Sequence, residues 1–330
     1  MILLCIFGQL KIKFKALITM KKFFLTGIFS CFCFLVIHAQ KISSTKLEIG
    51  PTRGELCFSE HAKENILVIF VPNSGPVDRD GNQLYQQHNL IKKLAEELAE
   101  EGFSNFRYDK IISPRRGSAS RETVLFDDYI NDLYRIIAHF KKQNSLQKII
   151  LIGYGEGSLV SLVVAKDTID AFISLAGYGQ SIDQSVLKQL ERQVPVLKEQ
   201  AAKNFDLLRK NKSAKEYHPA LEVFFGKDTY RFIQSWMKHQ PTEYIAQLEM
   251  PILLLHGKRD LQIDFSESEL LAEAQPKAKL VLIDDVNHVM RYANDDDMEN
   301  AKTYNQRSLP LAYEVVEEIL DFLLTNFPNE

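Results

Sequence analysis

From Asn65 to Pro72 the chain is apolar almost without a break (NILVIFVP), the pattern of a strand covered on both faces rather than one. Similar runs recur at Lys148–Gly155 (KIILIGYG), Ala171–Gly177 (AFISLAG) and Pro251–Gly257, with shorter β-rich stretches at Lys46–Gly50, Gly54–Phe58, Ser104–Asp109 and Lys279–Ile283. Between them the apolar period lengthens to that of a helix. Leu84–Glu101 gathers Ile91, Leu94, Ala95 and Leu98 on one face and stops at Gly102, and Phe126–Lys142 gathers Leu133, Ile136, Ile137 and Phe140. Further helices are expected from Glu156 onward, at Ser266–Ala274 and at Pro310–Phe327. Strands alternating with helices predict the α/β class, a mostly parallel sheet with helices on both faces. The alternation fails between about 181 and 248, where a polar stretch of helical period carries Phe205, Phe224, Phe225, Tyr230, Trp236 and Tyr244. That stretch is expected to be a helical cap inserted between two strands.

The first 39 residues follow another pattern. Lys21-Lys22 precede an apolar run from Phe23 to Ile37, and Ala39 follows at a cleavage position. This predicts a leader over 1–39, cut before Gln40, and an exported protein, periplasmic or secreted, whose single domain runs 40–330. Met20 offers a second possible start, and an uncleaved anchor is the competing reading. The run is interrupted by polar and small residues and is short for a bilayer, so no stable span is expected after processing. The 330-residue chain has formal net charge −3, and loss of five leader lysines would take it to −8. No basic run is then left for nucleic acid or an anionic membrane. Cys5, Cys31 and Cys33 lie in the leader, which leaves Cys57 with no partner for a disulfide and no Cys/His set for zinc. No metal or cofactor is expected.

Three features stand at the C-terminal ends of expected strands, where an open α/β sheet builds its site. Gly153-Tyr154-Gly155-Glu156-Gly157 joins a strand to a helix, as a G-x-S-x-G nucleophile turn does, but glycine stands at the central position. Asp260 follows the strand ending in His256-Gly257, and His288 follows the last strand within Asp285-Val286-Asn287-His288. Turn, acid, histidine is the chain order of the α/β hydrolases. The three glycines also suggest a dinucleotide loop, but Ser158 takes the place of its last glycine and the turn is not the first of the sheet.

Other segments carry a closer likeness. Ser74-Gly75-Pro76 with Asp78-Arg79-Asp80-Gly81-Asn82, Tyr108-Asp109-Lys110, Phe126-Asp127-Asp128-Tyr129 and Glu156-Gly157-Ser158 resemble a bacterial exported esterase subgroup related to serine aminopeptidases and lysophospholipases. The likeness runs from about Lys46 to Phe327. It implies an α/β-hydrolase fold with a cap, and a small ester or acyl-type ligand. It also implies Asp260 as the acid orienting His288, His288 as general base, and the backbone N–H of Glu156 as one oxyanion donor. A second donor would come from Asn73 or Ser74. His256 is expected to pack, and Asp78, Arg79 and Asp80 to brace a loop. The subgroup reads GHSEG where this chain reads GYGEG, and Ile111-Ile112-Ser113-Pro114 intervenes before Arg115-Arg116-Gly117. A residue without a side chain cannot be acylated, so the chain is expected to be inactive by the serine route. Ser74, Ser158 or water activated by His288 are the possible substitutes, and a non-catalytic binding protein is the alternative. If Asp260, His288 and the oxyanion donors keep the family arrangement, Gly155→Ser should restore ester hydrolysis, in part where Tyr154 crowds the pocket and more fully with Tyr154→His.

Overall fold

The computed structural model describes residues 42–59, 65–110, 124–142 and 148–328. The expected leader, its three cysteines, and the departure at Ile111–Gly117 lie outside these residues. Eight strands form one sheet: β1 (Ile42–Ile49), β2 (Thr52–Ser59), β3 (Ile66–Val71), β4 (Ser104–Tyr108), β5 (Lys148–Tyr154), β6 (Ala171–Leu175), β7 (Ile252–Gly257) and β8 (Lys279–Ile283). Their order is β1-β2-β4-β3-β5-β6-β7-β8. The β1–β2 hairpin and the β2–β4 pair are antiparallel, and the remaining pairs are parallel. This is the mostly parallel sheet that the alternating pattern predicts.

The apolar runs are continuous because each central strand is packed on both sides. Leu67, Ile69 and Val71 of β3 face one core with Ile149 and Leu151, against the helices α2 (Phe126–Lys141) and α3 (Glu156–Ala165). Ile66, Val68 and Phe70 face the other with Ile150 and Ile152, against α1 (Leu90–Glu100) and a C-terminal helix at Tyr313–Asn326. Side chains that alternate across a strand thus fill two separate cores.

Helix α1 begins six residues later than its period predicts. The chain before it is held by side chains: Asp78 accepts from the N–H groups of Asp80 (3.0 Å) and Asn82 (2.8 Å). Asn82 and Asn89 exchange two hydrogen bonds of 2.7 and 2.8 Å. Asn89 sits at φ 55, so Leu84 and Tyr85 stay exposed outside the helix. Short Asn and Asp side chains compete here with helical hydrogen bonding.

Between β6 and β7 the chain forms α4 (Ile182–Gln193), α5 (Pro195–Arg209), a 3₁₀ turn at Pro219–Leu221, α6 (Glu222–Phe225), α7 (Tyr230–Trp236) and α8 (Pro241–Ile245). Many aromatic rings of this stretch are spent on one another and on the core rather than on an open wall. Phe205 meets Phe225 at 4.8 Å, Trp236 stacks on Phe126 at 5.5 Å, and Phe205, Phe225 and Trp236 are buried. Beyond β7 lie α9 (Ser266–Ala274), α10 (Asp297–Thr303) and α11 (Tyr313–Asn326). Helix α10 has too few apolar residues to show in the sequence. The Asp296 side chain caps it, accepting from the N–H groups of Met298 (2.8 Å) and Glu299 (3.2 Å).

Candidate active site

The turn from β5 into α3 is tight because glycines let backbones meet. A Cβ on Gly157 would stand 2.2 Å from the Val71 carbonyl oxygen, so only glycine fits against β3 there. Gly155, between strand and helix, has φ 53 and ψ −114. A residue with a Cβ would carry strain of about 1–3 kcal/mol in such a region, and glycine enters it freely.

Across the sheet, β7 ends in His256-Gly257 and its loop turns back to bury Asp260. Asp260 Oδ1 accepts from the N–H groups of Gln262 (2.7 Å) and Ile263 (2.8 Å), and Oδ2 meets His288 Nδ1 at 2.7 Å and His256 Nε2 at 3.1 Å. Burial alone would raise this carboxyl. The two histidines and their hydrogen bonds outweigh burial and hold it well below the usual carboxylate range. An ionised carboxylate only accepts, so Nδ1 of His288 carries a proton. His256 Nε2 also faces the Ile263 carbonyl at 3.1 Å, so it is the protonated nitrogen, and Nδ1 pairs with Ser268 Oγ at 2.7 Å. His256 packs, as its place in a strand suggested, but it also fixes the acid.

The His288 turn is locked from outside the sheet. Asn287 Oδ1 accepts from the N–H groups of Val289 (3.1 Å) and Arg291 (3.2 Å), and its Nδ2 donates to Asn300 (2.8 Å) and Thr303 (2.7 Å) of α10. Tyr154 lies against the imidazole, ring centres 4.9 Å apart, and is buried.

The space in front of Nε2 is filled by Asn73. Its Oδ1 accepts from the Ser74 N–H (2.7 Å) and from the Glu156 N–H (3.1 Å), and its Nδ2 donates to His288 Nε2 (2.9 Å). Turned over, the amide would set its NH₂ against two N–H donors, so the partners fix its orientation. A Cβ on residue 155 would fall 2.0 Å from Asn73 Oδ1 and 2.6 Å from its Cγ. The Asn73 carboxamide therefore occupies the volume that a residue-155 side chain would enter.

This places the sequence-derived candidates. Gly155, Asp260, His288, Glu156, Ser74 and Asn73 converge at one point. Of the two candidates for a second N–H donor, Ser74 points inward. Asn73 takes part with its side chain instead, as the occupant of the hole. For Gly155→Ser the structure adds a second neighbour beside Tyr154, since the new Cβ would meet the Asn73 side chain, which must shift. Ser158 Oγ pairs with Ser174 Oγ at 2.7 Å, fully buried, and is committed elsewhere. The loop brace is present: Arg79 donates to Asp109 at 2.9 and 2.5 Å.

Lys110 was not singled out by chemistry. Its Nζ, buried, donates to Glu156 Oε1 at 2.6 Å and to the Asn73 carbonyl at 2.9 Å, and it lies 4.2 Å from the centre of the Tyr129 ring. Burial pushes both ionisable groups toward neutrality, Lys110 down and Glu156 up, while their attraction opposes it. A lone acid in the first turn of the otherwise apolar α3 was the available signal. Among the described residues no group of three His, Cys, Asp or Glu side chains could hold a metal ion, and no helix is long and apolar enough to cross a membrane.

Residues 85–295 match the family model described as serine aminopeptidase, S33. The match takes in Gly155, Asp260 and His288 and begins after Asn73. Esterase EstD of Thermotoga maritima is 23% identical over 228 residues, covering 68% of this chain and 54% of the relative. The chain thus spans about half the length of that curated relative. Est1E from Butyrivibrio proteoclasticus superposes with TM-score 0.55 at 15% identity, covering 86% of this chain and 98% of its own. The Pyrococcus furiosus esterase Pf2001 does so with TM-score 0.51 at 14% identity, covering 87% and 91%. These two likenesses speak to the fold.

Proposed function

Because the chain belongs to the serine aminopeptidase, S33 family and has the α/β-hydrolase fold, we propose that it is a carboxylic-ester-hydrolase relative that binds its ligand without acylation. One observation carries this: the residue at the strand–helix turn is Gly155, and the Asn73 carboxamide stands where a nucleophile would project. The rest of the constellation supports a binding role. Two N–H groups converge on one oxygen, and a histidine of fixed tautomer faces the neighbouring atom. These are the contacts that hold an acyl group. The relatives' names favour a small ester or acyl-type ligand. The test is to treat the purified protein with a fluorophosphonate probe and short-chain nitrophenyl esters. No labelling and near-background turnover are expected. Stoichiometric labelling at Ser74 or Ser158 would overturn the proposal.

A second reading has its own support, since Asp260 and His288 are joined at 2.7 Å, and Nε2 would be an acceptor for a proton from water once the Asn73 amide that now occupies it turns away. It predicts slow, label-free ester turnover that disappears in His288→Ala.

A further inference from the structure

The hydrogen bonds around Asn73 define what the site prefers, not merely that it is filled. Its oxygen takes two N–H donors, which turns its NH₂ toward His288 Nε2 as the acceptor and leaves the second N–H for the neighbouring Tyr154 hydroxyl. A carboxamide satisfies all of these contacts. An ester turns an oxygen lone pair toward Nε2, and so does a carboxylate unless the imidazole gains a proton. A buried acceptor left without a donor is strongly disfavoured. The volume fits only because residue 155 is glycine, since a Cβ there would overlap the carboxamide oxygen.

We infer that the N–H groups of Ser74 and Glu156 and the Nε2 of His288 form a binding site for a primary carboxamide, and that the Asn73 side chain is its resident ligand. This deepens the binding reading above and rests on it. It also departs from the ester preference of the named relatives, because the site as built selects an amide over an ester of the same shape. An external ligand of this class binds by displacing Asn73 and repeating its contacts.

The test makes the ligand external. Asn73→Gly removes from residue 73 the atoms of one acetamide molecule and leaves both N–H groups and His288 in place. Acetamide should then raise the thermal midpoint of Asn73→Gly saturably and leave the wild type without a saturable rise. Acetone, which lacks the N–H, and acetate at neutral pH should bind at least tenfold more weakly. Equal stabilisation by acetone or acetate, or no saturable response from a folded variant, would overturn the inference. If Asn73→Gly does not fold, the wild type still decides by nitrogen NMR. The Asn73 side-chain NH₂ should be protected from exchange, and the His288 Nε2 signal should be that of a hydrogen-bonded, unprotonated nitrogen. A freely exchanging NH₂, or a protonated Nε2 at neutral pH, would also sink it. None of these readouts uses acylation, so the inference can fail while the non-acylating reading stands, and fluorophosphonate labelling can overturn that reading by itself.

Discussion

Two buried carboxylates flank the β5–α3 turn, and they are held in opposite ways. Asp260 has a partner on every side: two backbone N–H groups on Oδ1 and two imidazoles on Oδ2. Glu156 has Lys110 on Oε1 and nothing on Oε2. Accordingly one carboxyl is held down and the other pushed up, although both are buried. Burial alone therefore does not set the charge of a carboxyl; the number of donors aimed at it does. Asn73 joins the two clusters. Its side chain ends on the His288–Asp260 pair, and its carbonyl accepts from Lys110.

The largest expected effect tests whether the Asp260 cluster can still serve a base. Gly155→Ser combined with Asn73→Gly should raise nitrophenyl acetate turnover at least about 100-fold over wild type and admit fluorophosphonate labelling, given that a serine is worth roughly 10⁶ in a mature site. Gly155→Ser alone should stay near background, because its Cβ meets Asn73 Oδ1 at 2.0 Å. A fully active single variant would show that Asn73 yields easily and would remove its role as occupant.

Next comes the sparsely paired cluster. Lys110→Met leaves Glu156 buried without a counter-charge and should cost about 3–5 kcal/mol in urea unfolding. Lys110→Met with Glu156→Gln should regain most of that loss. If the double variant is no better than the single, the lysine matters for Asn73 and Tyr129 rather than for the acid.

The smallest effect sharpens the contrast through pH. Asp260 has a folded pKa below its unfolded value. Its contribution is thus complete above the ordinary carboxylate range near 4 and is lost as pH falls toward and through the folded value. Glu156, shifted upward, acts with the opposite sign and lowers stability as pH rises through its folded pKa. Asp260→Asn should therefore flatten the acid limb of stability between about pH 5 and pH 2 and lower stability near neutrality by about 1–3 kcal/mol. Glu156→Gln should act in a different window, removing the loss of stability that the raised carboxyl causes as pH rises above the ordinary glutamate range near 4.5. Urea midpoints from about pH 2 to pH 8 check both slopes, and parallel shifts in the two variants would erase the comparison.

The sequence revealed the sheet well because its strands are buried on both faces, leaving uninterrupted apolar runs such as Ile66–Val71. It gave the turn, acid and histidine because a fixed topology brings strand ends together. It hid what side chains decide over long separations. Lys110 and Glu156 are 46 residues apart, and Asn73 and His288 are 215 apart. No period in the chain encodes those meetings. Asn73 looked like a supplier of a backbone N–H because strand-end loops often do that. Its side chain becomes decisive only once the void at Gly155 is seen beside it. The start of α1 and the whole of α10 are not legible from apolar spacing for a related reason, since Asn and Asp side chains set their boundaries.

The void shared by Gly155 and Asn73 also bears on how this sequence can change. Two of the four glycine codons lie one base from a serine codon, so a serine at 155 can be a single-step change. Yet taken first it meets an occupied volume and brings strain without chemistry. Taken second, after Asn73 has become small, it meets an open one. Although the two positions lie far apart in the chain, they form an epistatic pair whose order of replacement matters, and the shorter mutational path to a nucleophile is the obstructed one.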